Sequence, residues 1–287
     1  MKTFGQLVCS LAALTAALVA GHNAQAADAP KKILFFSKSG EFEHPMVAEK
    51  DGKPSKAEVL LTELGKKNNF EFTFTKDGSL FTPKYLAGFD AFFFYTQGEN
   101  FFGRGKDGSP PMTKEGKAAF LEAIHDGKGF VGIHSATDTF HSSAQGVDPY
   151  ITMIGAEFVA HDGWVPGHLV VVDRNFPGMS KVPHDFGPPE EWYAMKNFST
   201  NLHVLLAHNT TAMKKQPPYN RPNYPSTWAQ QYGKGRSFYT SMGHRIEVWN
   251  DPVFQEILVG GLKWAVGDVE ADVTPNIDKV TPQANTP

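Results

Sequence analysis

Gly129-Phe130-Val131-Gly132-Ile133-His134-Ser135-Ala136-Thr137-Asp138 begins as a short unbroken apolar run and ends in small polar residues around a histidine. An apolar run without polar alternation reads as a strand covered on both faces, as in a parallel sheet flanked by helices. The strand is predicted over Gly129 to His134. A strand that ends in Gly-x-His-Ser and turns at once puts His134 where other α/β enzymes place a nucleophile, with backbone N–H groups nearby. Gly132, Ser135 and Ala136 are small enough to permit the turn, and Asp138 is near enough in sequence to orient an imidazole. The plainer reading is a histidine that ends a buried strand and bonds to backbone.

Outward from this stretch the same grammar repeats. Lys32 to Ser37 reads as a buried strand, Pro54 to Asn68 as a helix with Ala57, Leu60, Leu61 and Leu64 at helical spacing, and Phe70 to Thr75 as a second strand. Phe89 to Tyr95 is a third strand, followed by a Gly-rich loop to Pro111 and a helix from Thr113 to about His125, capped by Thr113. This order predicts an α/β fold with a doubly wound, mostly parallel sheet and helices on both faces. Ligands are then expected at the carboxyl ends of the strands. Downstream, short strands are predicted at Leu169 to Asp173, His203 to Ala207, Thr227 to Gln231 and Ser237 to Thr240, then a helix from about Pro252 to Val266. Prolines 183, 188, 189, 217, 218, 222 and 225 predict long loops over one end of the sheet.

The N-terminus carries a different signal. Lys2, the apolar stretch Leu7 to Ala20 and the small-residue exit Ala24-Gln25-Ala26 match a cleavable signal peptide. The expected organisation is a signal peptide over 1–26 cleaved after Ala26, a linker over 27–31, one domain over 32–267 and a flexible tail over 268–287. A periplasmic or secreted protein follows, with no stable membrane insertion after cleavage. Cys9 is the sole cysteine and lies in the signal segment, so the mature chain has no disulfide, thiolate ligand or cysteine nucleophile. A formal charge of −3, with Lys and Arg scattered, argues against a nucleic-acid partner.

Several ordered motifs then converge. They are G-F-V-G-x-H-S-A-x-D at 129–138, Y-x-x-x-I-G-A-x-F-x-x-H from Tyr150 to His161, E-W-Y at 191–193, P-x-x-W from Pro225 to Trp228, and G-K-G-R from Gly233 with Gly243-His244 closing the pattern. Together the chain resembles the ThuA-like (trehalose-utilisation) family over about Lys32 to Gly267. The resemblance implies a class I glutamine amidotransferase-like fold and a role in sugar use, including keto-disaccharides. In amidotransferases of that fold the elbow residue is a cysteine, whereas this chain carries His134 there, which excludes glutamine hydrolysis through a thioester.

The expected function is an exported enzyme of carbohydrate metabolism, a hydrolase, lyase or isomerase of a disaccharide or keto-sugar. His134 serves as general acid or base, with Asp138 or Glu191 orienting it or sharing the proton. His44, Gln97, Ser135, Trp192, Trp228, Arg236 and His244 are the candidate substrate-binding residues, the two tryptophans as stacking surfaces. Arg236 also reads as a loop arginine paired with a nearby acid. A metal-assisted version would use a divalent ion such as zinc, with His161 and His168 as candidate ligands beside His44 or His134. His161 and His168 are seven residues apart, unlike the close i, i+4 pair of a zinc protease. The alternative is a carbohydrate-binding protein in which the same side chains hold sugar without turnover.

Overall fold

Apolar runs become the middle of one sheet because only there are both of their faces covered. The computed structural model describes residues 1, 29–99, 101–213 and 217–286, so the predicted signal peptide lies, Met1 apart, outside the described residues. Strands β1 (Lys31–Phe36), β2 (Phe70–Thr75), β3 (Ala91–Phe94) and β4 (Gly129–Ile133) pair in parallel in the order β2-β1-β3-β4. Strands β5 (Glu157–Ala160), β6 (Val165–Pro166), β7 (Leu169–Val171), β8 (Pro189–Glu190) and β9 (Ala194–Lys196) follow. β5 pairs with β9 and β6 with β8 as two small antiparallel ribbons. Strand β10 (His203–His208), then β11 (Tyr224–Tyr232) and β12 (Gly235–Thr240) complete the main sheet. β12 lies parallel beside β4, and β11, β10 and β7 extend it antiparallel, for eight strands in all.

Seven helices are described: α1 (Lys56–Asn68), α2 (Pro83–Leu86), α3 (Lys114–His125), α4 (Pro149–Ile154), α5 (Ile246–Trp249), α6 (Pro252–Ala265) and α7 (Ile277–Val280). α1, α5 and α6 cover one face of the sheet and α2, α3, α4 and α7 the other. Strand alternation feeds both cores: Ile33 and Phe35 of β1 point to the α1 side, Leu34 and Phe36 to the α3 side. Ser55 closes a capping box with Glu58 at the start of α1, and Thr113 caps α3 by accepting from the Gly116 N–H. Among the described residues no helix is long and apolar enough to cross a membrane.

Two expectations are corrected. Pro225 sits inside β11 and Pro189 in β8 rather than in loops; Pro225 lies beside an irregularity in the β10–β11 register and Pro189 opens a two-residue ribbon strand, places where a missing N–H is tolerated. The segment after Gly267, expected to be a flexible tail, is packed. Ile277 and Ala284 are buried, Asn276 bonds to both backbone groups of Val204, and Asn285 bonds to Phe198. Its sparse apolar residues hid the docking, because a few anchored side chains and backbone bonds suffice to hold it.

Candidate active site

The carboxyl ends of the parallel strands deliver three histidines to one edge: His44 after β1, His134 after β4 and His244 after β12. Glu191 reaches the same place from the turn between β8 and β9. The predicted sharp turn is present. His134 has φ +46°, a left-handed conformation that costs a non-glycine residue about 1–3 kcal/mol. The turn is held because Tyr239 Oη donates to the His134 carbonyl at 2.7 Å, and Gly132 leaves room where a Cβ would meet Ile154 at 2.9 Å.

The His134 ring is fully buried. Its Nδ1 lies 3.2 Å from the Ser241 carbonyl, which can only accept, so Nδ1 carries a proton and Nε2 faces the cluster. From that Nε2, His244 Nδ1 is 3.2 Å away and Glu191 Oε2 3.5 Å; His244 Nδ1 and Glu191 Oε2 are 3.1 Å apart. His44 completes the group, its ring centroid 5.0 Å from that of His134 and 5.3 Å from that of His244.

Charge is distributed unevenly over these groups. Burial alone would raise the Glu191 carboxyl, but hydrogen bonds and charge from His134 and His244 prevail and hold it far below the usual carboxylate range. For His244 burial pulls downward, yet the Glu191 hydrogen bond and charge lift it above an ordinary histidine. His44 is pushed well below an ordinary histidine by burial, with His134 and His244 acting in the same direction.

Glu190 organises this arrangement without entering it. Its buried carboxylate accepts the Gly243 N–H at 2.9 Å, the His244 N–H at 3.1 Å and the Glu191 N–H at 2.9 Å, tying the β12–α5 turn to the β8–β9 turn. Glu190→Gln puts an amide NH₂ against N–H donors. It should cost about 2–3 kcal/mol, seen as a lower urea midpoint with an unchanged m-value.

The structure sorts the other candidates. Asp138 does not orient His134: its Oδ1 pairs with His141 Nε2 at 2.6 Å and its Oδ2 accepts from Gln97 Nε2 at 2.9 Å. The Asp138 hydrogen bond is the largest influence on His141 and raises it above an ordinary histidine, against the downward pull of burial. Gln97 uses its Oε1 to hold the Glu41 and Phe42 N–H groups, so it shapes the loop that carries His44. Ser135 is buried beneath the elbow.

Trp192 and Trp228 are wholly buried, donating Nε1–H to the Val165 and Ile154 carbonyls, and cannot stack on a sugar. Arg236 is at the opposite end of the sheet, level with Gly129 at the start of β4, where it bonds the Trp264 and Val269 carbonyls and Glu270. His161 Nδ1 lies 3.4 Å from Glu191 Oε1, but His168 is exposed beside a separate concavity with Arg174 and His184, so the expected His161–His168 ligand pair does not form.

Sequence reading missed the aromatic rim. Trp164 is 59% exposed, its ring 6.0 Å from that of His244, with the Arg245 guanidinium 4.6 Å from its centroid. Phe42 is 53% exposed and its ring is 4.9 Å from that of His44. A tryptophan in the polar, Gly-containing run His161-Asp162-Gly163-Trp164 was the available signal, since such a run favours an exposed loop.

A family model described as ThuA, trehalose utilisation, matches residues 32–265. Among solved structures, a ThuA-like protein of Bacteroides uniformis is similar at 21% identity with a TM-score of 0.64, covering 88% of this chain and 98% of its own. A ThuA-like protein of Parabacteroides merdae is 18% identical, with a TM-score of 0.59 and coverage of 86% and 95%. A cytoplasmic protein of Salmonella typhimurium LT2 follows at 16% identity and a TM-score of 0.52, covering 84% and 100%. At these identities the likeness speaks for the fold. No curated protein matches the chain.

Proposed function

The chain belongs to the ThuA trehalose-utilisation family, and from that premise we propose that it is an exported enzyme of carbohydrate metabolism. The substrate is a disaccharide or keto-sugar, bound over the histidine–glutamate cluster. The observation that carries the reading is the pairing of exposed aromatic faces with ionisable groups: Trp164 beside His244 and Phe42 beside His44. Pyranose rings present apolar faces to aromatic walls and hydroxyl edges to polar groups.

Glu191 and His244 are partly exposed and can meet a substrate, so they are the proton-transfer pair in this proposal. His134 is sealed and acts through them, a change from the role expected of it as general base. Export to the periplasm or the medium is part of the proposal and rests on the signal-peptide pattern at 1–26.

The test is product formation from trehalose and its oxidised keto derivatives by the purified mature protein. Turnover is expected, with Glu191→Gln lowering kcat by about 10²–10⁴. Trp164→Ala should raise KM about fivefold, corresponding to a lost stacking contact of about 1 kcal/mol. Saturable sugar binding without product would overturn the enzymatic reading and favour the carbohydrate-binding alternative.

A further inference from the structure

A fully buried imidazole cannot itself exchange a proton with a dissolved sugar, yet His134 aims its Nε2 at His244 Nδ1 and Glu191 Oε2. Around a four-coordinate ion with bonds of about 2.0–2.1 Å, tetrahedral geometry sets the ligand atoms about 3.3–3.4 Å apart. The three separations among His134 Nε2, His244 Nδ1 and Glu191 Oε2 are 3.1, 3.2 and 3.5 Å. They form a nearly equilateral triangle of the size one face of such a tetrahedron requires. His44 extends the set, since one donor atom from each of the four residues lies within 4.8 Å of the others.

The surroundings hold these donor atoms in place. The His134 Nδ1–H is engaged by the Ser241 carbonyl, which fixes the tautomer and turns Nε2 inward. Glu190 pins the backbones of both Glu191 and His244. Glu191 and His244 remain partly exposed on the side of Trp164, which leaves an approach for a further ligand from solution.

We infer that His134, His244 and Glu191, with His44 as a fourth donor, form a binding site for a divalent transition-metal ion. Three imidazoles and one carboxylate with no thiolate select a borderline cation of the zinc, cobalt(II) or iron(II) class rather than soft copper(I), and a set with a single oxygen ligand disfavours magnesium or calcium. The inference goes beyond the carbohydrate proposal and does not need it, because the ion can be detected without any sugar; with the ion bound, Glu191 and His244 are its ligands, and the proton-transfer role given to them above belongs to the metal-free site.

The experiment uses mature protein stripped by a chelator, then titrated with zinc against a chromogenic chelator and, separately, with cobalt(II) followed by visible absorption. One zinc per chain is expected, together with the visible cobalt bands of a low-coordinate nitrogen and oxygen site. Glu191→Gln, which is partly exposed and does not fill the core, should weaken zinc by about 10-fold or more. His244→Ala should do the same, and circular dichroism confirms that both remain folded. Absence of stoichiometric zinc binding by wild type would overturn the site. So would stoichiometric binding unchanged in both variants, which would put the ion elsewhere. If zinc binds as expected and the sugar assay yields no product, only the enzymatic proposal fails.

Discussion

Lys38→Met is expected to lower unfolding stability by about 3–5 kcal/mol, the scale for leaving several buried acceptors without their donor. Lys38 is wholly buried two residues after β1, and its ammonium donates to the Ser109 carbonyl at 3.1 Å, the Ser109 hydroxyl at 3.0 Å and the Pro110 carbonyl at 3.1 Å. Burial pulls the ammonium below its ordinary value, and the charges of Asp107 and Asp77 work against that pull. Methionine fills most of the volume but leaves these acceptors without a donor, in a region with little access to water.

The same contact staples the loop at 105–110 to the loop leading to His44, with Asp107 accepting from the Ser39 N–H at 2.9 Å. For a domain of this size the loss corresponds to a drop of about 10 °C in Tm. Differential scanning calorimetry checks it; a shift of less than about 2 °C would mean the lysine is dispensable. Zinc titration of the variant then reports whether the His44 loop has loosened.

The second large effect is in acid. His208 is fully buried between Trp192 and Tyr224, and neither ring nitrogen has a hydrogen-bond partner among the described residues. Burial, assisted by the Arg221 charge, pulls it down to about 3. An ordinary histidine titrates near 6.5, so the unfolded chain takes up a proton below that pH while the folded chain refuses it until about 3.

The folded state therefore loses stability as pH falls from about 6.5 towards 3, at up to about 1.4 kcal/mol per pH unit, and gains nothing from this group above that window. At pH 4.5 the His208 contribution is a loss of about 2–3 kcal/mol. His208→Phe has no proton to accept, so urea unfolding at pH 7.5 and pH 4.5 should show a smaller acid loss than wild type by that amount. Equal losses in the two proteins would show that the histidine finds a way to charge while folded.

The elbow at His134 was readable because a strand-ending Gly-x-His-Ser constrains backbone geometry locally. Glu191 and His244 were placed among candidates through ordered motifs, and both reach His134. The errors share a cause. Trp192, Trp228 and Arg236 are residue types suited to sugar recognition, but type does not report depth or which end of a strand a side chain occupies. Asp138 was paired with His134 by sequence proximity. The turn after β4 instead hands it to His141 and Gln97, while the carbonyl of Ser241, 107 residues away, takes the imidazole N–H.

The alternation of strands and helices, the mostly parallel sheet and the turn at His134 are legible in the order of residues, because they rest on periodicity and local sterics. Which histidines meet, that Trp164 and Phe42 form the rim, and that Glu190 holds two turns together are set by tertiary packing. Those outcomes depend on loops from distant strands arriving at one sheet edge, and no local pattern encodes the distances between them.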